Sequence, residues 1–418
     1  MSLVNDPIES TVEQLELTDS GLQAMQVTSS DSDDNEVLDV HAVVLTNYLR
    51  THHVLALREF AKRVRKLTVL LSVSMEPDRG WEAKWEGLDV QIQKNFMWTA
   101  NWKHTAGFSE PNFIHFPIDT PWKLLKLKPD IVLSYEMGAR TMLASFYRMF
   151  RRKVPLVMVG NMSQHIEDER GFLRRTWRKA LCRWVDHFTY NGASCKRYLQ
   201  SLGIPNEQLF HFPYCIDDAT VFHGEAKPTE NETTKLLYCG AISERKGILQ
   251  FSKTLSQWCG ENPNRKVELS IAGSGDLKDQ VAQTAAGNFE ISFLGNCDTT
   301  QLKNAYGSTE ICVFPTLADE WGLVPIEAMA SGVPVLGSVL AQSVECCCTD
   351  SHDSWTFHPG KQDQVVDAID RALNTPETER RAMGAAARES VAHISAMTSG
   401  KLLFDAVSTI TQRQATGR

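Results

Sequence analysis

Short apolar runs alternate with amphipathic stretches along the first half of the chain. Each short run predicts a strand, and these runs are HAVVLTNYL, KLTVLLSV, KPDIVLSY, VPLVMVG and HFTYNGA. Between them, HHVLALREFAKRV and GARTMLASFYRMF have the apolar spacing of helices. Because no hairpin signals separate these elements, the order of strand, helix and strand predicts a parallel sheet. A polar stretch at residues 222–235 then indicates a linker.

The same alternation resumes after the linker. Strands are predicted at KLLYCGA, KVELSIAGSG, EISFLG, ICVFPT and PVLGS, with helical stretches between them. We therefore expect an α/β protein with two Rossmann-like, doubly wound parallel-sheet domains that face a cleft, since such sheets bind ligands outside the carboxyl ends of their strands. The N-terminal domain is assigned to residues 40–220 and the C-terminal domain to 221–390. Residues 391–418 are predicted to be helices that cross back to the first domain.

Length and charge refine this division. A chain of 418 residues suits two domains. The formal net charge is -8, but residues 1–39 hold ten acidic residues and no Lys or Arg, so the remainder sums to +2. This polar, acidic tail is predicted to be disordered.

The composition also indicates a soluble cytoplasmic protein. No run of 18 apolar residues predicts a membrane-spanning helix, and the first residues lack the order of a signal peptide. The ten cysteines include no C-x-x-C pair, so we interpret them as reduced thiols.

The segment ADEWGLVPIEAMASGVPVLGS places two carboxylates around a short helix. Seven residues separate Asp319 from Glu327, Pro325 suits a first helical turn, and Gly332 suits a helix end. A helix that starts at the carboxyl end of a strand directs free N–H groups toward anions. By spacing alone, the segment could equally be a core helix with solvated ends.

The order of residues in this segment resembles the signature of family 4 glycosyltransferases, which have the two-domain GT-B fold. In that family two acidic residues flank seven others ahead of A-M-A-x-G-x-P-V. YCGAISERKG is similar to the family's G-R-x-x-x-x-K-G loop, and SIAGSGDL and SFLGN resemble its glycine turns. The resemblance covers about residues 236–340. The N-terminal half is similar only in layout and in GASCKRYLQSLGIP with FPYCID.

The resemblance implies a retaining enzyme that transfers a sugar from a nucleotide-diphosphate donor to a glycan or lipid-linked acceptor. Asp319 would orient the donor sugar and Glu327 the ribose. The diphosphate would be held without metal or cofactor by Lys246, Gly240 and the N–H groups of Gly322, Leu323 and Val324. Ala241 stands where the family has Arg; Arg245 either replaces that charge or is solvated.

Three residues of the first half follow predicted strands. His165 is a candidate for contact with the donor sugar at the reacting centre, or a surface residue. Glu136 is a candidate for acceptor binding, or a helix cap. Asn47, at the exit of the first strand, is the other candidate for acceptor binding.

A strongly basic segment lies in the same half. Residues 140–200 contain thirteen Lys or Arg against four acids, and RGFLRRTWRKALCRWVDHF interleaves this charge with Phe172, Trp177, Leu181 and Trp184. One interpretation is an amphipathic helix packed on the core. The other is a peripheral contact of residues 170–188 with an anionic membrane surface. Nucleic acid is not expected, because no recognition module accompanies the charge.

Two other functions fit the same fold. Ala241 and Asp319 depart from the family pattern, which would suit a non-catalytic or regulatory protein on a decayed scaffold. A nucleotide-sugar epimerase with the GT-B fold is the second, although E-A-M-A favours a transferase.

Overall fold

The computed structural model describes residues 37–77, 84–168, 170–224 and 233–416. Most of the predicted disordered tail, residues 1–36, lies outside the described residues, as do residues 225–232 of the predicted linker. Leu38 and Asp39, which the sequence assigned to the tail, belong to the first strand.

The described residues of the first half of the chain contain nine strands. Seven of them pair in parallel in the order β3-β2-β1-β6-β7-β8-β9, and the other two form a separate antiparallel hairpin. Their bounds are β1 Leu38–Thr46, β2 Val64–Leu71, β3 Asp89–Ile92, β4 Asn95–Lys103, β5 Ser109–Pro117, β6 Ile131–Tyr135, β7 Leu156–Val159, β8 His187–Tyr190 and β9 Leu209–His211.

Helices cover both faces of this sheet, as alternate residues of β1 show. Ala42 and Val44 pack in one apolar cluster, and Val43 and Leu45 pack in another on the opposite face. A strand buried on both sides must be apolar throughout, which explains the run HAVVLT. The helices are α1 Thr51–Ala61, α2 Thr120–Leu127, α3 Ala139–Phe150, α4 Gln164–Asp168, α5 Phe172–Cys182 and α6 Ala193–Ser201.

The antiparallel hairpin of β4 and β5 was not predicted. Its turn is closed by hydrogen bonds between His104 and Phe108 and from the Gly107 N–H to the His104 carbonyl, without a two-residue Asn-Gly or Asp-Gly signal. The register sets Phe96 opposite Phe116 and Trp98 opposite Ile114. All four side chains therefore share one face, and all four are exposed.

The second half contains a six-stranded parallel sheet in the order β12-β11-β10-β13-β14-β15. Its strands are β10 Thr233–Cys239, β11 Lys266–Ala272, β12 Phe289–Gly295, β13 Ile311–Phe314, β14 Val335–Ser338 and β15 Ser354–Phe357. The helices are α7 Ile248–Glu261, α8 Lys278–Ala282, α9 Thr299–Gly307, α10 Leu323–Ala330, α11 Gln342–Cys347, α12 Gln362–Asn374, α13 Glu377–Val391 and α14 Ala396–Ala415. The two parallel sheets confirm the expected α/β fold with two Rossmann-like domains.

The last helix packs on the first domain. Leu403 and Val407 of α14 share an apolar cluster with Leu57 and Phe60 of α1, and α14 and α1 are in extensive contact. No helix within the described ranges combines the length and apolar character that crossing a membrane requires.

Gly400 permits the close approach of α14 to α1. A Cβ atom built at Gly400 would lie 2.4 Å from the Cβ of Glu59 and 3.0 Å from the Ala56 carbonyl oxygen. Any larger residue must therefore push the two helices apart.

Replacing Gly400 with Ala should lower stability, although Ala is the better helix former. Overpacking of a close contact costs about 1–3 kcal/mol, which exceeds the gain of about 1 kcal/mol from helix propensity. Thermal unfolding checks this against Gly260→Ala in α7, where nothing lies within 4 Å of an added Cβ. The interpretation is wrong if the two variants shift the melting temperature equally.

Candidate active site

The larger cavity of the described residues lies between the two domains, where strand ends of both sheets meet. Its volume is about 1230 Å³. The residues after β1 and β6 line it from the first domain, and those after β10 and β13 line it from the second. Of the sequence candidates, it contains Asn47, Glu136, Gly240, Arg245, Lys246, Asp319, Gly322, Leu323, Val324 and Glu327.

An ion pair between Lys246 and Asp319 occupies one wall of this cavity. The Lys246 ammonium donates to Oδ2 of Asp319, and both side chains are mostly buried. Burial lowers the pKa of Lys246, an effect that Asp319 opposes. Burial alone would raise the pKa of Asp319, but Lys246 and Arg245 hold it below its usual value. The two groups therefore form a poorly solvated ion pair, and the Lys246 ammonium faces the cavity.

The turn that carries Lys246 is fixed against the loop that carries Asp319. Gly247 has φ of 69°, and a Cβ there would lie 2.1 Å from the Pro315 carbonyl oxygen, so only glycine fits. The Leu317 N–H donates to the Arg245 carbonyl at 2.8 Å. These contacts place the ends of β10 and β13 side by side, with the two charged residues adjacent.

Arg245 has a partner that the sequence did not reveal. Its Nε donates to Oε2 of Glu110 in β5 at 2.7 Å, and its Nη1 donates to the Ala318 carbonyl at 3.1 Å. Phe108 at the hairpin turn is buried against Ala318. Arg245 is thus neither a solvated charge nor an unpaired one, and the hairpin reaches across the cleft to the second domain.

The N-terminus of α10 forms the next part of the wall. Gly322 precedes the helix with φ of 87°, and a Cβ there would lie 2.8 Å from the ring of Phe314. Gly322, Leu323 and Val324 line the cavity. The N–H groups of a first helical turn have no acceptor within the helix, so this terminus suits an anion.

Glu327 projects from the first turns of α10 into the same cavity. Tyr306 of α9 donates to its Oε2 at 3.2 Å. Burial raises the pKa of Glu327 to about 7, although this hydrogen bond acts in the opposite direction. The carboxyl group is therefore poised to ionise near neutral pH. Within the described residues, no three His, Cys, Asp or Glu side chains cluster as metal ligands.

A second cavity of about 300 Å³ adjoins the first on the side of the N-terminal domain. Asn47 and Glu136 line both cavities, and Asn47 Nδ2 lies 3.2 and 3.3 Å from the two carboxylate oxygens of Glu136. Arg140, buried behind them, donates to Asn47 Oδ1 and to Ser72 Oγ. The two candidates for acceptor binding are thus brought together, and Arg140 orients the Asn47 amide.

His165 lies outside both cavities. Its Nε2 is 3.8 Å from Oε2 of Glu345 in α11, and its catalytic role remains a prediction without geometric support. The residues directly after β7 that do line the smaller cavity are Asn161 and Met162. His165 also follows β7, but it lies in α4, after the residues that line the cavity.

His53 and Glu320 line the smaller cavity and were not selected from the sequence. Neither ring nitrogen of His53 meets a hydrogen-bond partner in the described part of the chain, and burial lowers its pKa to about 3. Burial raises the pKa of Glu320, which faces both cavities. His53 follows the exit of β1, so the rule that placed Asn47 at a strand end could have found it.

The structure bears on both interpretations of the basic segment, the helix packed on the core and the contact with an anionic membrane. Of the apolar stripe, Leu181 packs on the core, but Phe172 and Leu173 are exposed by 80% and 84%, and Trp177 in α5 and Trp184 just after it by 48% each. Arg178 is buried instead and pairs with Glu167, so it cannot face a membrane.

Residues 223–390 match the family model of glycosyl transferases group 1. An uncharacterized glycosyltransferase of Methanocaldococcus jannaschii is 28% identical over 148 residues, which are 35% of this chain and 37% of that protein. The curated relatives that the chain matches are covered over 30–53% of their own length.

Solved structures match this chain over most of its length and over nearly all of their own. The Anabaena protein HepE, in complex with UDP, superposes with a TM-score of 0.65 at 13% identity and covers 89% of this chain and 100% of its own. The lipopolysaccharide outer core galactosyltransferase WaaB gives 0.66 at 11% identity, with 88% and 99% covered. The chain therefore has the GT-B fold, and residues 223–390 are similar to the group 1 glycosyl transferases.

Proposed function

We propose that the protein transfers a sugar from a nucleotide-diphosphate donor to an acceptor held by the N-terminal domain. The observation that carries this proposal is the convergence of Lys246, Asp319, Glu327 and the N-terminus of α10 on one cavity, within a domain similar to the group 1 family. An ammonium and helix N–H groups suit a diphosphate, and a carboxylate suits ribose hydroxyls. HepE, which has this fold, is known in complex with UDP.

In this proposal Lys246 exchanges partners when the donor binds. The diphosphate takes the ammonium from Asp319, with the N–H groups of Gly322, Leu323 and Val324 on its other side. Asp319 is then free to accept hydrogen bonds from the donor sugar. The Arg245 guanidinium, 3.9 Å from Asp319, keeps that carboxylate ionised during the exchange.

The proposed transfer retains the anomeric configuration, as the family resemblance implies. The acceptor oxygen bonds to the anomeric carbon on the face from which the diphosphate leaves. The bond to the leaving oxygen breaks first, through an oxocarbenium-like state, and the acceptor proton passes to a leaving phosphate oxygen. Charge on that oxygen grows in the transition state, and Lys246 stabilises it there without a metal.

The first test is a thermal-shift series with UDP-, GDP- and ADP-sugars, followed by donor hydrolysis. A decayed scaffold would bind no donor or would leave it intact. An epimerase would convert the donor to a second nucleotide sugar without an acceptor. Release of nucleoside diphosphate with free sugar supports transferase chemistry.

Glu327→Gln should weaken donor binding roughly tenfold to a hundredfold, because a hydrogen bond to a charged group is worth about 1.5–3 kcal/mol.

With a pKa of about 7, Glu327 is mostly protonated at pH 6, so the wild-type affinity should be about tenfold lower at pH 6 than at pH 8. Calorimetric titration at both pH values checks this.

The Glu327→Gln variant should lose that pH dependence. Glu290→Gln, an exposed substitution of the same kind on β12, is the matched control and should keep both affinity and pH dependence. An unchanged donor affinity in folded Glu327→Gln would contradict the ribose assignment.

Lys246→Met should lower kcat/KM by on the order of tenfold to a thousandfold, because it removes charge stabilisation from the leaving diphosphate. Steady-state kinetics, with and without EDTA, provide the measurement. Lys253→Met on the exposed side of α7 is the control. Activity that disappears in EDTA and returns with Mg²⁺ or Mn²⁺ would show that a metal carries this charge instead.

We further propose that the N-terminal domain docks on an anionic membrane, which suits a lipid-linked acceptor. Of the nineteen large hydrophobic side chains exposed in the described residues, sixteen precede residue 190. They include the face of the hairpin formed by Phe96, Trp98, Ile114 and Phe116. The helix α3, with Phe150 exposed, packs against β5. Exposed Lys179 and Arg183 lie in and just after α5, close along the chain to the exposed Trp177 and Trp184, and their charge suits anionic headgroups.

The protein should sediment with vesicles that contain anionic lipid and should dissociate as salt rises. Because each basic residue near such a surface contributes about 1 kcal/mol, Lys179→Glu with Arg183→Glu should weaken binding by at least roughly thirtyfold. Lys253→Glu with Lys266→Glu on the second domain is the control, and it should bind as the wild type does. Equal sedimentation with neutral and anionic vesicles would overturn the docking proposal.

A further inference from the structure

The smaller cavity carries more positive than negative charge. Among the described residues, five arginines and three glutamates line it, so the described lining carries two more positive than negative charges. Buried or partly buried charges of one sign are costly unless a ligand or ion completes them. The arginines are Arg50, Arg140, Arg170, Arg174 and Arg178, and the glutamates are Glu136, Glu167 and Glu320.

Three of the five arginines surround one carboxylate, that of Glu167. Arg178 contacts both oxygens of Glu167, and its Nη1 also donates to the Tyr198 hydroxyl at 2.9 Å. Arg170 and Arg174 lie near the same carboxylate, but their closest approaches are 3.8 and 3.5 Å through Nε. Arg178 therefore satisfies Glu167, whereas the buried Nε of Arg170 and that of Arg174 meet no hydrogen-bond partner in the described part of the chain, which leaves donors for a further acceptor.

These two arginines are held in place. The guanidinium of Arg170 stacks over the ring of Trp102 in β4, with its carbon 4.3 Å from the ring centroid. Burial and the neighbouring Arg178 lower the pKa of Arg174 to about 10, which reflects the crowding of positive charge. Planar guanidiniums with several fixed donors match the oxygens of a phosphate group.

The rim of the same cavity is apolar. Ile114 of the hairpin and Trp177 of α5 both line it and are 43% and 48% exposed. Phe172 and Leu173, on the same helix as Trp177, are exposed as well. The lining of the cavity therefore combines guanidiniums with exposed apolar side chains.

We infer that Arg170 and Arg174 bind a phosphate group of the acceptor. The sugar attached to it would lie toward Asn47 and Glu136, where the two cavities join, and an attached chain would leave past Ile114 and Trp177. The apolar rim favours a phosphate carried on a lipid over one on a soluble sugar. The inference rests on the proposed function only in naming the ligand an acceptor; the anion site itself does not depend on it.

Calorimetric titration of the full chain with decyl phosphate, kept below its micellar concentration, tests the site. The affinity should fall on the order of tenfold in Arg174→Gln. Arg170→Gln is a second variant with the same expected fall, and it serves if Arg174→Gln does not fold. The affinity of the wild type should also fall as ionic strength rises. Arg175→Gln is the matched control: it lies on the same helix outside the cavity, and its Nη2 donates to the Ser201 carbonyl.

Lys246→Met separates this site from the donor site. It should leave decyl phosphate binding within about twofold of the wild type, while binding of UDP, GDP or ADP is lost. Failure of nucleotide binding in the wild type would remove the proposed function and leave the anion site standing. Decyl phosphate affinity that is unchanged in both arginine variants, or lost in Lys246→Met, overturns the inference.

Two further ligands identify the source of the phosphate. Methyl phosphate lacks the chain, and decanol lacks the phosphate. Decyl phosphate should bind at least about tenfold tighter than either if the acceptor is a lipid phosphate. If methyl phosphate binds as tightly as decyl phosphate, a soluble sugar phosphate is the ligand instead.

Discussion

Parallel pairing of every strand in the two large sheets is the constraint on which the rest of the structure depends. Because neighbouring strands run in the same direction, all their carboxyl ends emerge at one edge, and the chain must cross back over the sheet between them, mostly through a helix. Asn47, Glu136, Lys246 and Asp319 all follow such strand ends. The fold thus collects polar residues from loops in distant parts of the sequence into one cleft, while the strands that precede these loops stay regular and buried.

Residues that act within one short segment could be predicted from the sequence, because local order determines their geometry. The loop between β13 and α10 and the turn after β10 brought Asp319, Glu327 and Lys246 to the same cavity as expected. Glu110 contacts Arg245 from a hairpin 135 residues away, and Tyr306 contacts Glu327 from the preceding helix, 21 residues away. Such contacts depend on tertiary packing, for which the pattern of a single sequence contains no signal.

The basic helix α5 shows how periodicity alone can mislead. Its aromatic residues have helical spacing, yet the buried face is formed by Arg178, Leu181 and Cys182. A buried guanidinium is stable only if it is paired and hydrogen-bonded, and here Glu167 of α4 and Tyr198 of α6 supply its partners. Since those partners lie on other helices, the sequence could not show that the aromatic side would be left in solvent.

The return of the last helix to the first domain has a mechanical consequence. The chain passes between domains twice, once after β9 and once between α13 and α14, and the Ser399 hydroxyl donates to the Pro213 carbonyl at 2.7 Å where these passages meet. Because the two connections lie side by side, rotation of the domains about the edge where they lie strains the backbone least. The ion pair between Arg245 and Glu110 bridges the cleft, and this rotation would have to break it.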